Sequence, residues 1–196
     1  MTHYYIFSII GGHIKNAERE IDLMHDSKNM FVLDKNYGAK EYQIFNENVR
    51  HGILALYSLN AGLESLIAFL DKELGVNSKD FYSRIKKLEK KGIITDIDSL
   101  SKCIELRKQR NIVTHWEENT SQLYGSDGYL PFLFGDSEPR EKSEELISSF
   151  NKVDFMEYLD AFNQLFDNIL KNIPNNKNEY LIYRLKNIKE GYLFFE

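Results

Sequence analysis

One short run of the chain holds the residue types that phosphodiester chemistry asks for: Arg110-Asn111-Ile112-Val113-Thr114-His115. A guanidinium offers phosphate oxygens a bidentate fork, an amide both donates and accepts, and an imidazole titrates near neutrality. On a helix, Asn111 and His115 share a face, and Arg110 is offset from Asn111 by about 100°. The three would line two adjoining faces at a helix end. Spacing leaves a second reading open, because Arg and His in a last turn also complement the helix dipole.

The run must be positioned by the helix that carries it. On a helical wheel Arg110 falls in line with Cys103, Leu106 and Val113, the residues expected to face the core. Burying an unpaired guanidinium costs several kcal/mol, so Arg110 needs a carboxylate, a cleft or a subunit interface. An upstream helix offers Asn60 in the middle of its apolar stripe and Glu64 one turn on. A Glu64–Arg110 pair is the expected solution.

Charge is uneven around this point. From Arg84 to Arg110 nine Lys or Arg face four acids, a local +5 in a chain of formal net charge -5. The overall balance argues against coating nucleic acid by bulk electrostatics. The local excess reads either as a solvated helix face or as a phosphate-attracting patch in which Arg107 and Lys108 bind substrate. Trp116 either packs on the helix end or stacks a base.

Few prolines and glycines, with periodic runs rich in Leu, Ile, Glu, Lys and Asn, predict an all-α chain. With 196 residues, 42% of them hydrophobic, one core is expected. Apolar positions predict helices over about Ile44–Leu74, Lys79–Lys91, Ser99–Trp116 and Lys142–Ile173. Gly75 and Gly92 stop the first two, Ser78 is the expected N-cap of the second, and Pro174 ends the fourth. Short connections suggest an antiparallel four-helix bundle over residues 39–174, interrupted by a long aromatic loop at 117–140. Outside this core lie an N-terminal extension, 1–38, with a helix around Ile14–Met24, and a C-terminal helical tail, 175–196, beginning with the polar link Asn175–Asn178.

Other chemistries find little footing. Cys103 sits in an apolar pattern and reads as an inert core thiol. His3, His13, His25 and His51 lack metal-ligand spacing and read as surface or cap residues, so no metal and no cofactor are expected. Gly11-Gly12 is too sparse for a phosphate loop. The Tyr4–Ile10 run has no basic n-region, and no stretch approaches the ~20 apolar residues of a membrane span, so a cytoplasmic protein is expected.

The stretch Leu106 to His115, taken with Leu59-Asn60-Ala61-Gly62-Leu63-Glu64-Ser65-Leu66, resembles the HEPN (higher eukaryotes and prokaryotes nucleotide-binding) superfamily. Its signature is an Arg, often followed by Asn, then four to six residues and a His. Arg110, Asn111 and His115 match the four-residue form, and the likeness covers roughly Glu41 to Ile173. The resemblance implies a four-helix bundle, a homodimer bringing two motifs into one cleft, and metal-independent RNA cleavage, commonly in toxins or antiphage effectors regulated by an antitoxin or similar protein. Arg110 would stabilise charge on phosphorus, Asn111 would orient phosphate or the 2′-hydroxyl, and His115 would handle protons. Glu64 would match a polar position on the family's first long helix. Other members of the superfamily are non-catalytic dimerisation or binding modules for a partner protein or nucleotide.

Overall fold

Capping side chains decide where the helices begin. The computed structural model describes residues 4–27, 38–114, 150–189 and 192–195. Ser8 accepts from the Gly11 N–H at 3.1 Å, which starts helix α1 (Ile9–Asp22) a turn earlier than expected and places Gly11-Gly12 inside it. Glu41 reaches back to the Gly38 N–H at 3.0 Å, so α2 (Ala39–Glu73) also begins ahead of its expected start. Asp80, not Ser78, caps α3 (Phe81–Lys90) through the Ser83 N–H at 2.9 Å. Ser78 instead donates its own N–H to Asp71. Asp96 accepts from the Ser99 N–H over the first turn of α4 (Ile97–Thr114). Asn151 does the same for α5 (Lys152–Asn172), and the expected Lys142 start falls outside the described residues.

Helix ends follow the sequence more closely. Gly75 and Gly92 follow α2 and α3 with φ +61 and +70, the left-handed backbone that glycine adopts at no steric cost. The polar Asn175–Asn178 stretch is not a link. It forms the first turn of α6 (Asn175–Lys189), with a kink at Asn178. One further element goes beyond the all-helical expectation: strands β1 (Tyr4–Phe7) and β2 (Tyr192–Phe195) pair antiparallel, Tyr4 opposite Phe195.

Polar contacts fix the helix directions. Glu20 meets His51 and Asn16 meets Ser58, so α1 runs antiparallel to α2. Tyr57 meets Thr114 and Glu64 meets Arg107, so α2 and α4 are antiparallel. Tyr158 reaches Glu105 and Asn168 reaches the Thr95 and Asp96 N–H groups, so α4 and α5 are antiparallel too. Helix α6 ties to α2 through Arg184–Glu73 and to α5 through Lys189–Asp167.

All six helices among the described residues feed one cluster of buried apolar side chains. Ile10, Ile14, Ala17 and Ile21 of α1 are part of it, which corrects the expectation that the N-terminal segment lies outside the core. Leu181, Leu185 and Ile188 bring α6 into the same cluster. By length and composition α2 is apolar enough to cross a membrane, contrary to expectation. Its apolar residues Leu56, Leu59, Leu63, Leu66, Ile67 and Leu70 are nevertheless buried in this core, where the hydrophobic effect accounts for them. Cys103 is buried as expected, and desolvation pushes its thiol up to about 12, leaving no thiolate for chemistry near neutrality.

The approach of α5 to α2 depends on Gly52. A Cβ there would come within 2.5 Å of the Phe150 ring and 3.2 Å of the Phe155 ring. Gly52→Ala is therefore expected to destabilise by about 1–3 kcal/mol through overpacking, although alanine is the better helix former. A chemical melt in which Gly52→Ala matches or exceeds the wild type would refute this close-approach role.

Candidate functional site

The last turns of α4 lie against the middle of α2, and two contacts set their register. Tyr57 and Glu64 stand two helical turns apart on α2, as do Thr114 and Arg107 on α4. Thr114 donates its hydroxyl hydrogen to the Arg110 carbonyl at 2.8 Å, so the Tyr57 hydroxyl must be the donor in the 2.9 Å bond to Thr114. This register puts Glu64 level with Arg107, and the expected Glu64–Arg110 pair does not form. Glu64 Oε1 accepts instead from Arg107 Nε at 3.1 Å. Arg110 lies about one turn further along, level with Asn60 and Ala61.

Arg110 is left in an unusual position among the arginines of α3, α4 and α6. Arg84 faces Asp71, Arg107 faces Glu64 and Arg184 faces Glu73. Arg110 faces no carboxylate among the described residues. Its Nη1 donates to Asn111 Oδ1 at 2.9 Å, the Tyr57 ring centre lies 6.0 Å from the guanidinium carbon, and its Nε, like those of Arg84 and Arg184, is buried without a hydrogen-bond acceptor among the described residues. The guanidinium is thus half-buried, oriented by an amide and an aromatic ring, and still has donor capacity. Buried donors ordinarily find partners, and an anion oxygen would supply one here.

The other expected site residues divide. Asn60 is buried, 2% exposed, as its place in the apolar stripe predicts, and its Oδ1 has no hydrogen-bond partner among the described residues. No hydrogen bond joins it to Arg110 or Asn111 among the described residues. Lys108 is exposed and free of ion pairs among the described residues. Arg107 is committed to the fold by Glu64 and by stacking 4.8 Å from the Phe81 ring centre. His115 and Trp116 lie outside the described residues, as does the 117–140 loop. Sequence reasoning missed Tyr57 and Thr114. The signal was the two-turn spacing of Tyr57 from Glu64 on α2, which repeats between Arg107 and Thr114.

The basic segment is partly neutralised by the fold. Lys87 donates to the Val76 carbonyl and Lys91 to the Leu74 carbonyl, closing the turn between α2 and α3. Lys102 lies between Glu105 and Glu157 and over the Tyr158 ring. With Arg84 and Arg107 paired, the cations of this segment without an ion pair among the described residues are Lys86, Lys87, Lys90, Lys91, Lys108 and Arg110, of which Lys87 and Lys91 are held by the carbonyls just named.

One histidine departs from its expected setting. His51 is buried rather than a surface or cap residue, and its Nδ1 lies 2.8 Å from Glu20 Oε2. The other Glu20 oxygen accepts from Arg19 Nη2 at 2.6 Å. The hydrogen bonds from His51 and then Arg19 hold this carboxyl below its usual range. His25 is exposed and paired with Glu47.

Neither of two cavities among the described residues is a ligand-sized space at Arg110. A cleft of about 440 Å³ runs beside Ala39, Gln43, Asn46, Glu47 and Arg50, away from Arg110. Beneath the end of α4, Gln109, Val113, Leu56 and Tyr158 enclose only about 10 Å³, too little for a ligand. Among the described residues no three His, Cys, Asp or Glu side chains are grouped to hold a metal. No family model matches the chain, and neither a curated protein nor a solved structure does.

Proposed function

We propose that the chain is a metal-independent endoribonuclease of the HEPN type, acting as a homodimer, with the Arg110–His115 run as its active site. The observation that carries this reading is the state of Arg110: half-buried, clasped by Asn111, and facing no carboxylate among the described residues. The other described arginines of α3, α4 and α6 each face a carboxylate: Arg84, Arg107 and Arg184. The shallow setting of Arg110 also suits a site completed by a second copy. Biologically the reading fits a toxin or antiphage effector held in check by an antitoxin or regulatory protein.

In the proposed reaction the ribose 2′-oxygen attacks the adjacent phosphorus, the bond to the 5′-oxygen breaks, and a 2′,3′-cyclic phosphate and a 5′-hydroxyl form. Arg110 stabilises the negative charge that builds on the phosphoryl oxygens, and Asn111 orients a phosphate oxygen or the 2′-hydroxyl. His115 takes the 2′-hydroxyl proton or gives one to the leaving oxygen. DNA lacks the attacking group and is spared.

The test is cleavage of labelled single-stranded RNA in EDTA by the wild type, Arg110→Ala and His115→Ala. Each variant is expected to lose tenfold or more in rate, since one charge-stabilising donor alone is commonly worth about 100-fold. Equal cleavage by all three would remove the assigned site. No cleavage by any of them across varied RNAs would leave the fold as a non-catalytic binding or dimerisation module.

A further inference from the structure

We infer that the exposed face of α3 is a binding track for single-stranded RNA, with Tyr82 stacking a nucleobase beside the motif and Lys86 and Lys90 holding the phosphates that follow. This rests on the proposed ribonuclease reading and names how substrate would reach it.

The geometry starts at Arg107. Its guanidinium lies 5.5 Å from the Tyr82 ring centre, and the Phe81 ring meets that of Tyr82 edge-on at 5.4 Å. Phe81 is buried and Tyr82 is 45% exposed, so the buried ring and the Glu64-anchored guanidinium brace a ring that still meets solvent. Arg107 precedes Arg110 by about 4.5 Å of helix rise, which puts Tyr82 at the edge of the candidate site. A fixed aromatic ring beside a cation is a sequence-tolerant platform for a base.

From Tyr82 the track continues outward. Tyr82, Lys86 and Lys90 are spaced four residues apart, all exposed, over about 12 Å of helix. Lys87 and Lys91 donate to carbonyls near the α2 end, which orients α3 so that its later residues lead away from Arg110. Neither Lys86 nor Lys90 has an ion pair among the described residues. Of the acids at the start of and within α3, Asp80 is held by the Ser83 N–H and hydroxyl, and Glu89 stands between the two lysines in sequence. Free cations in line with an aromatic ring match a polyanion whose bases are unstacked, which distinguishes single-stranded RNA from duplex.

The experiment is fluorescence anisotropy of the full chain with a labelled single-stranded 2′-O-methyl RNA, which binds but cannot be cleaved by 2′-hydroxyl attack. Tyr82→Ala is expected to weaken binding at least about fivefold, the lower range for loss of one stacked base, while Tyr82→Phe keeps wild-type affinity. The Lys86→Ala/Lys90→Ala double variant is expected to lower the dependence of log affinity on log salt by about 1.4. Tyr183→Ala, an exposed tyrosine on α6, should change nothing. No binding by the wild type, or wild-type affinity in both Tyr82→Ala and the double-lysine variant, overturns the track. The two readings fail separately: lost cleavage in Arg110→Ala with unchanged binding in the α3 variants removes the track alone. Weakened binding in the α3 variants with no cleavage by any protein removes the ribonuclease alone.

Discussion

Glu20→Ala should lower the melting temperature by roughly 6–12 °C, from about 3 kcal/mol of lost stability in a chain of this size. The carboxylate is 3% exposed and bridges two partners, Arg19 on its own helix and His51 on α2. A carboxylate only accepts, so His51 Nδ1 carries a proton and donates. Removing Glu20 leaves that buried N–H without an acceptor and leaves space between α1 and α2. The cost falls at the lower end of the range for broken buried pairs, because the Arg19 end is in solvent.

The same residue gives a signed pH dependence. The Glu20 carboxyl is depressed below 4.5 in the folded state, chiefly by the hydrogen bond from His51 and next by Arg19. Such a group contributes stability that is complete above its unfolded value and disappears as pH falls through the depressed one. Wild-type stability should therefore drop more steeply than that of Glu20→Gln as the pH is lowered below about 4.5. Thermal melts from pH 7 to pH 3 measure this. Glu47 and Asp80 are also depressed but are common to both proteins, so they cancel in the difference. Parallel curves for the two proteins would show that Glu20 is not the responsible group.

Asn48→Ala is expected to cost about 3 kcal/mol or more, with unfolding seen first in the segment that follows α1. Asn48 is fully buried, and its amide satisfies three groups: Oδ1 accepts from the His25 N–H at 2.7 Å, and Nδ2 donates to the His25 carbonyl at 3.0 Å and to Ser27 Oγ at 2.8 Å. The His25 carbonyl also accepts from the Lys152 N–H, so this one side chain joins the exit of α1 to α2 and to the start of α5. Alanine strands buried donors and acceptors, each at about 1–3 kcal/mol, partly recovered by water. Asn48→Asp should be no better, since a carboxylate cannot donate to the His25 carbonyl. Hydrogen exchange at the His25 amide reports the effect directly. Unchanged protection there in Asn48→Ala would remove the clamp.

Local rules explain why the helices were legible. Runs of Leu, Ile and Phe at helical spacing locate α2, α4 and α5, and Gly75 and Gly92 mark ends because only glycine takes a left-handed backbone cheaply. Starts were less legible because several polar residues compete to cap. Ser78 and Asp80 both precede α3, and only the Asp80 side chain folds back onto Ser83. The ribbon between Tyr4–Phe7 and Tyr192–Phe195 joins segments at opposite ends of the sequence, and no local pattern announces such a pairing.

The candidate site divides along the same line. By itself the sequence determined that Arg110 and Asn111 lie near the end of an amphipathic helix, that Asn60 is buried and that Cys103 is a core thiol. Those properties depend on residue type and helical period, which are local. Which carboxylate meets which arginine was decided by tertiary structure. Glu64 takes Arg107 rather than Arg110 because the α2–α4 register is fixed by how two apolar stripes interlock, with Tyr57 bonded to Thr114 two turns away. A shift of one turn in that register would have paired Arg110 and closed the site. Helix periodicity sets which face a residue occupies, but only the packing of one helix on another sets its height along that face.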